Sequence, residues 1–329
     1  MVRVRRRSYI LPVAKPLTRG REPMIYRDFG RTGWRVSAIG LGTWNIGTQW
    51  GDVDQATAWA TVRAAYDNGV NIFDAAESYG IPNGLSEERL GVALAGIRHD
   101  VYVVSKIGNW GKRTGQGVPK STVDMIRLCA HASLHRLRSD YHDVLMCHEG
   151  DIEDPSVYLE AFQILKKEGR VRASGISTNS LEVLKRFNAD GSCKVVQVDY
   201  SLVNLQPEEE FLPYCEKQAI AVMVRGPLAR GLLSGRYTSE SVFADSIRET
   251  YNPGGDERAT FEERMARVEK LRASVPEGEE MATTALRFVI SHTSEPVAIP
   301  GAKSPRQAVE NAAAGSETLG EEELARLRG

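Results

Sequence analysis

From Met24 onward, short and nearly unbroken apolar runs alternate with longer stretches in which apolar residues recur at helical spacing. The runs predict strands near Ser37–Leu41, Val70–Phe73, Val101–Ser105, Asp143–Cys147, Arg172–Gly175, Val195–Val198, Ala221–Val224 and Pro296–Ile299. The stretches between them predict helices over Asp54–Asn68, Ser86–Ala95, Ser121–Leu137, Pro155–Glu168, Ser180–Asn188, Glu208–Lys217, Glu280–His292 and Pro305–Ala314. Several open as helices should. Pro155 follows Asp154 in a first turn, and Ser86 is followed by two glutamates that suit the positive end of a helix dipole.

Strand and helix alternating in this way imply an α/β protein with a closed (β/α)8 barrel of the TIM type rather than an open doubly wound sheet. The spacing of Gly40, Gly42 and Gly47 after the first strand does not match a GxGxxG fingerprint, so a Rossmann domain is not expected. Ahead of the barrel, Tyr26–Phe29 and Trp34–Val36 flank the turn Gly30-Arg31-Thr32-Gly33, which reads as a β-hairpin plugging the barrel bottom. Two long irregular segments, Asn109–Lys120 and Tyr237–Ala259, follow the third and seventh strands, where barrel loops wall the site.

Residues 24–329 are thus expected to form one domain. Residues 1–23 differ: Arg3, Arg5, Arg6, Arg7, Lys15, Arg19 and Arg21 crowd a stretch without periodic pattern. The run RRRSYILPVA has an apolar part that ends at Lys15, too short for a twin-arginine export signal. A disordered basic extension, or an upstream start that leaves Met24 as the functional beginning, is the expectation. With 329 residues, 42% hydrophobic, 26% charged and a net charge of -1, the chain has no general attraction for nucleic acid or an anionic membrane. A small-molecule partner is expected. Cys129, Cys147, Cys193 and Cys215 are scattered without a CxxC pair, which suits reduced thiols in a cytoplasm and neither a disulfide framework nor a metal site.

Four polar residues sit at or just past predicted strand ends: Asp74 and Tyr79 in NIFDAAESYG, Lys106 in VYVVSKIG and His148 in VLMCHEGD. A parallel barrel gathers its strand ends around one opening, so these four can share a site. Each has an ordinary use alone, as a cap, a solvated charge, a rim aromatic or a buried imidazole. Their common placement makes them a set. Reducing a carbonyl takes a hydride to carbon and a proton to oxygen; a phenol beside an ammonium can give the proton, a carboxylate fixes the ammonium, and an imidazole orients the carbonyl. On this reading Lys106 lowers the pKa of Tyr79.

These residues and the segments FGRTGWRVSAIGLGTW, SEERLG, GISTNS, VVQVDYSLVN, RGPLARGLLSGRY and IPGAKSPRQAVEN resemble the aldo-keto reductase superfamily, in the shorter-loop branch that includes potassium-channel beta subunits. The resemblance implies a catalytic tetrad of Asp74, Tyr79, Lys106 and His148, and NADPH extended across the barrel mouth without a metal. It implies cofactor contacts at Gly42, Thr43, Trp44, Ser177, Asn179, Gln197, Arg225, Pro227, Leu228 and Arg236, and at the adenosine end Gly301, Lys303, Gln307, Glu310 and Asn311. Independently, the last segment joins a strand to a helix N-terminus, which favours phosphate. Lys303, Arg306 and Arg236 add positive charge suited to a 2′-phosphate, so NADP(H) is expected over NAD(H).

Arg225 stands where many relatives carry an aromatic residue that stacks on the nicotinamide, so it either stacks or reaches a polar substrate. Ala75 stands where threonine is common, IPNG at Ile81–Gly84 reads as an insertion, and the text after the last acidic helix is too short for a long substrate loop. Trp44, Trp110, Tyr200 and Arg225 are expected to line the substrate pocket. The resulting expectation is reduction of a polar or sugar-like carbonyl. A sugar or polyol dehydrogenase, or a cofactor-sensing subunit with little turnover, is the alternative, and a homo-oligomer is compatible with either.

Overall fold

A computed structural model describes residues 23–329. The basic extension expected over residues 1–23 lies outside the described residues except for its last position. The chain opens with a hairpin, β1 (Tyr26–Asp28) paired antiparallel with β2 (Arg35–Ser37). Eight parallel strands follow: β3 (Leu41–Gly42), β4 (Ile72–Asp74), β5 (Tyr102–Ile107), β6 (His142–Cys147), β7 (Val171–Ser177), β8 (Val195–Asp199), β9 (Ala221–Arg225) and β10 (Val297–Ala298). Each pairs with the next in chain order. Bridges from Ile39 to Ala298 and from Gly42 to Gly301 join the first strand to the last, so the sheet closes on itself as a (β/α)8 barrel.

The helices form the outer layer: α1 (Gln55–Asp67), α2 (Leu85–Ala93), α3 (Val123–Leu137), α4 (Ser156–Lys167), α5 (Leu181–Phe187), α6 (Phe211–Lys217), α7 (Arg258–Arg272), α8 (Met281–Ile290), α9 (Pro305–Ala313) and α10 (Glu321–Arg328). Asp54, Thr122, Ser180 and Ser304 cap α1, α3, α5 and α9 by accepting the backbone N–H of the third residue of each helix. Helix α7 was not expected from the pattern. Its apolar side, Phe261, Met265, Val268 and Leu271, is buried, but so many charges surround these residues that the apolar periodicity is faint. None of the described helices is long and apolar enough to cross a membrane.

Strand alternation divides the interior in two. Ile72, Val104, Val144, Met146, Val195, Met223 and Val297 point into the barrel, where Phe29 and Val36 of the hairpin join them. The hairpin turn presses on the bottom rim: Arg31 N donates to Ala219 O at 3.0 Å and its guanidinium to Cys193 O at 2.7 Å. Gly30 has a φ of +50°, and a Cβ there would fall 2.5 Å from Ala221 N, so only glycine lets the turn come this close. With the bottom filled, the strand C-terminal ends open on a broad cleft of about 1500 Å³.

Candidate active site

Asp74 ends β4, and Lys106 lies near the end of the neighbouring β5. Inward-facing positions on β5 alternate, so Val104 and Lys106 enter the barrel while Ser105 faces α2. Lys106 Nζ lies 2.7 and 2.8 Å from the two Asp74 carboxylate oxygens and donates to Ala75 O at 2.8 Å. Its third contact is Tyr79 Oη, at 3.1 Å. The chain brings Tyr79 back over the strand end by a turn in which Tyr79 N donates to Ala76 O. His148 follows β6 directly, its N–H donating to Ile107 O at 2.8 Å, and its ring meets that of Tyr79 edge-on at 5.9 Å. Trp44 stacks on Tyr79, with ring centroids 5.4 Å apart and planes 16° from parallel. Gln49 fixes that stack by accepting from Trp44 Nε1 and from Gly80 N.

Burial dominates the electrostatics here. It raises the Tyr79 phenol above its ordinary value, and the opposing charge of Lys106 does not reverse this. The lowered phenol expected from the sequence is therefore corrected: local charge was legible there, and the cost of desolvation was not. Burial also disfavours the Lys106 ammonium, but Asp74 and Tyr79 outweigh it and hold the group charged. Asp74 is pushed up by burial, against Lys106 and Gln197. Two direct contacts to the ammonium and a donated amide N–H oppose that push by favouring the carboxylate.

The structure brings together most of the residues named from the sequence. Gly42, Trp44, Ser177, Asn179, Arg225, Pro227, Leu228, Arg236, Gly301, Lys303, Gln307, Glu310 and Asn311 line one cleft with Asp74, Tyr79 and His148. Gln307 Oε1 accepts from Lys303 N, and Asn311 Nδ2 donates to Gly301 O, so α9 holds the loop that precedes it. Three expectations are corrected. Thr43 turns its side chain away from the cleft, bonding Asp74 O and Ser86 Oγ at 2.8 Å each. Tyr200 is fully buried with its hydroxyl on Glu208, and its ring packs on Phe288. Trp110 is absent from the lining and sits beneath the Arg136 guanidinium, 5.1 Å from its ring centre. A position just past a strand end does not say which way the side chain turns. Asn109, Lys112, Asp151 and Asp199 also line the cleft but were not singled out. Asn109 and Lys112 lay within a segment already expected to be a wall.

A family model described as the aldo/keto reductase family matches residues 38–329. This chain belongs to the aldo/keto reductase family. It is 33% identical to the aldo-keto reductase YhdN of Bacillus subtilis (strain 168), over 86% of each chain. The glycerol dehydrogenase AKR11B4 from Gluconobacter oxydans superposes with a TM-score of 0.75, at 28% identity over 89% of this chain and 91% of that one. An aldo-keto reductase from Klebsiella pneumoniae, solved in complex with NADPH, gives 0.69 at 29% identity, over 93% and 94%. As a member of the family, this reductase is an NAD(P)H-dependent oxidoreductase.

The site fits a nicotinamide carboxamide. Gln197 is buried and inward-facing on β8; its Nε2 donates to Asp74 Oδ1 at 2.8 Å, and its Oε1 is buried without a partner among the described residues. Asn179 Oδ1 is already taken by Asp199 N and by Arg225 Nη2, both at 3.0 Å. Asn179 therefore offers its amide N–H groups, and Gln197 offers an acceptor. A carboxamide needs one of each. Gly42 and Gly301 are close-approach positions: a Cβ on Gly42 would lie 2.8 Å from Ile299 O, and one on Gly301 would overlap Asn45. Among the described residues, no three His, Cys, Asp or Glu side chains are grouped to hold a metal ion.

Proposed function

We propose that this reductase converts an aldehyde or ketone carrying hydroxyl or other polar groups to the alcohol, using NADP(H) in preference to NAD(H), with Tyr79 as proton donor. The observation that carries the reading is the 3.1 Å contact between Tyr79 Oη and a Lys106 ammonium held charged by Asp74. The nicotinamide supplies hydride to the carbonyl carbon. As negative charge develops on the carbonyl oxygen, the phenol gives its proton and Lys106 stabilises the phenolate left behind. His148, edge-on to the phenol, orients the oxygen. Lys303, Arg236 and the exposed Arg306 on the far side of the cleft support a 2′-phosphate. The Klebsiella neighbour that holds NADPH agrees with this preference.

Polar groups along the cleft favour a polar substrate. Arg225 is held over the cleft by Asn179 Oδ1 at 3.0 Å and by Asp199 Oδ1 at 4.0 Å, and its side chain is 41% exposed. It is thus anchored at one edge, with donors left for a ligand. Likeness to a glycerol dehydrogenase favours a polyol working in reverse, but a phenol raised by burial is protonated at neutral pH and suits reduction. The test is turnover of NADPH with propanal, glyceraldehyde and glyoxylate, and of NADP with glycerol, at one neutral pH. Reduction faster than oxidation is expected. Arg225→Leu is expected to lower kcat/KM for glyceraldehyde and glyoxylate about tenfold relative to propanal, the worth of one lost polar contact. An unchanged ratio would remove Arg225 from the substrate site.

A further inference from the structure

Two buried carboxylates beside the active site take no part in the chemistry above. Glu77, between Asp74 and Tyr79 in sequence, is 1% exposed, and Glu87 on α2 is fully buried. Both lead to the loop of residues 109–120 between β5 and α3. That loop is bonded to itself: Gln116 N donates to Gly111 O at 3.0 Å and Val118 N to Trp110 O at 3.1 Å. At Gly111 φ is +73°, and a Cβ there would collide with Gln116 O, so the turn depends on glycine. The position of a loop closed on itself in this way depends on the few contacts that tie it to the barrel.

Those contacts converge on the two carboxylates. Glu77 Oε1 accepts from Gly108 N at 2.8 Å, just before the loop, and lies 3.6 Å from Lys120 Nζ at its far end. One oxygen therefore ties both ends. The Lys120 and Glu77 side chains are only 1% and 2% exposed, and Lys120 Nζ also donates to Val118 O at 3.1 Å. Breaking such a pair leaves an uncompensated buried charge, so the pair holds far more firmly than a surface bridge. At mid-loop, the Trp110 ring lies under Arg136, whose Nε donates to Glu87 Oε2 at 2.6 Å. The loop so placed carries Asn109 and Lys112 onto the cleft wall shared with Tyr79 and His148.

We propose that Glu77 and Lys120 are positioning residues that set substrate specificity, because their buried pair places loop 109–120 so that Asn109 and Lys112 meet the polar part of the substrate. This rests on reading the cleft as a carbonyl-reducing site. Lys112 has no ion-pair partner among the described residues and is exposed, so its ammonium is available to a substrate oxygen. Lys120 does not line the cleft, and its contacts are to Glu77 and Val118 O, so it can be changed without touching the proton donor.

The test compares wild type, Lys120→Met, Lys120→Arg and Lys112→Ala, each with NADPH and either glyceraldehyde or propanal. Lys120→Met is expected to raise the KM for glyceraldehyde roughly tenfold, a modest displacement of a binding wall. Its kcat, its KM for propanal and its NADPH dissociation constant stay near wild type, and Lys120→Arg restores the glyceraldehyde KM. Trypsin, applied without substrate, is expected to cut after Lys112 faster in Lys120→Met. Lys112→Ala lies on the surface and folds regardless; it is expected to reproduce the glyceraldehyde effect alone. Equal loss for both aldehydes in Lys120→Met, or an unchanged ratio in Lys112→Ala, overturns the proposal. A wild type that turns over neither aldehyde defeats the reductase reading instead, and the rate of cleavage after Lys112 then decides for or against the latch.

Discussion

Tyr79→Phe is expected to lower kcat for carbonyl reduction by about 10²–10⁴-fold, the usual worth of a positioned acid, while NADPH binding and thermal stability stay close to wild type. The change removes one oxygen. The phenyl ring keeps its stack on Trp44 and its edge contact with His148, so the pocket keeps its shape. Lys106 loses its 3.1 Å contact to the phenol but retains Asp74 and Ala75 O. A variant that still reduces substrate at near wild-type rate would show that the proton comes from elsewhere, with His148 the next candidate. The pH profile gives a second check. Burial holds the phenol above its ordinary value, so the proton it donates is present throughout the neutral range. The reductive rate should not lose that proton until beyond the ordinary phenol value of about 10. An alkaline limb assigned to Tyr79 near neutrality would contradict this ordering of burial over charge.

Lys106→Met is expected to be the most damaging single change in the site, abolishing reduction and costing about 3–5 kcal/mol in chemical denaturation. The lysine is fully buried, and its removal strands Asp74, 2% exposed, with the Gln197 amide as its one remaining side-chain donor. The deficit has a definite pH dependence. Without the ammonium, burial acts unopposed by its strongest counterweight, so the folded pKa of Asp74 lies above the unfolded value. Such a group adds stability below its unfolded pKa and loses it as pH rises through the folded one. The variant should therefore regain stability as the pH falls toward the ordinary carboxyl value of 3.8. Lys106→Met combined with Asp74→Asn should recover part of the stability at neutral pH and none of the activity. A single variant whose deficit does not change with pH would mean that Asp74 is not the stranded charge.

The barrel was legible in the chain because its strands announce themselves twice, as unbroken apolar runs and as the points where the chemistry sits. Asp74, Lys106 and His148 were found by that second signal, and the structure puts them around Tyr79. What could not be read is what depends on distant partners. Glu87 follows Ser86 at a helix start and reads as a partner of the helix dipole; the fold instead buries it against Ser105, Ser133 and Arg136, the last of them 49 residues away. Tyr200 and Trp110 each follow a strand, yet one turns to Glu208 and the other to Arg136. Helix α7 failed for a different reason: Phe261, Met265, Val268 and Leu271 keep helical spacing, but Arg258, Glu262, Glu263, Arg264, Arg267 and Glu269 surround them.

The closing seam of the barrel bears on how the enzyme is made. The first strand meets the last where Gly42 faces Gly301, and both glycines line the cleft with Lys303 immediately beyond. Half of the nucleotide's expected binding wall is therefore encoded near residue 42 and the other half near residue 301. During synthesis on the ribosome, the first half waits while about 260 residues are added, and no partial chain has a complete place for the dinucleotide. On the proposed binding wall, cofactor would engage only a finished barrel, and by mass action it would then favour the ring over any opened form. The molecule that delivers hydride would thus also act as a clasp on the newly completed fold.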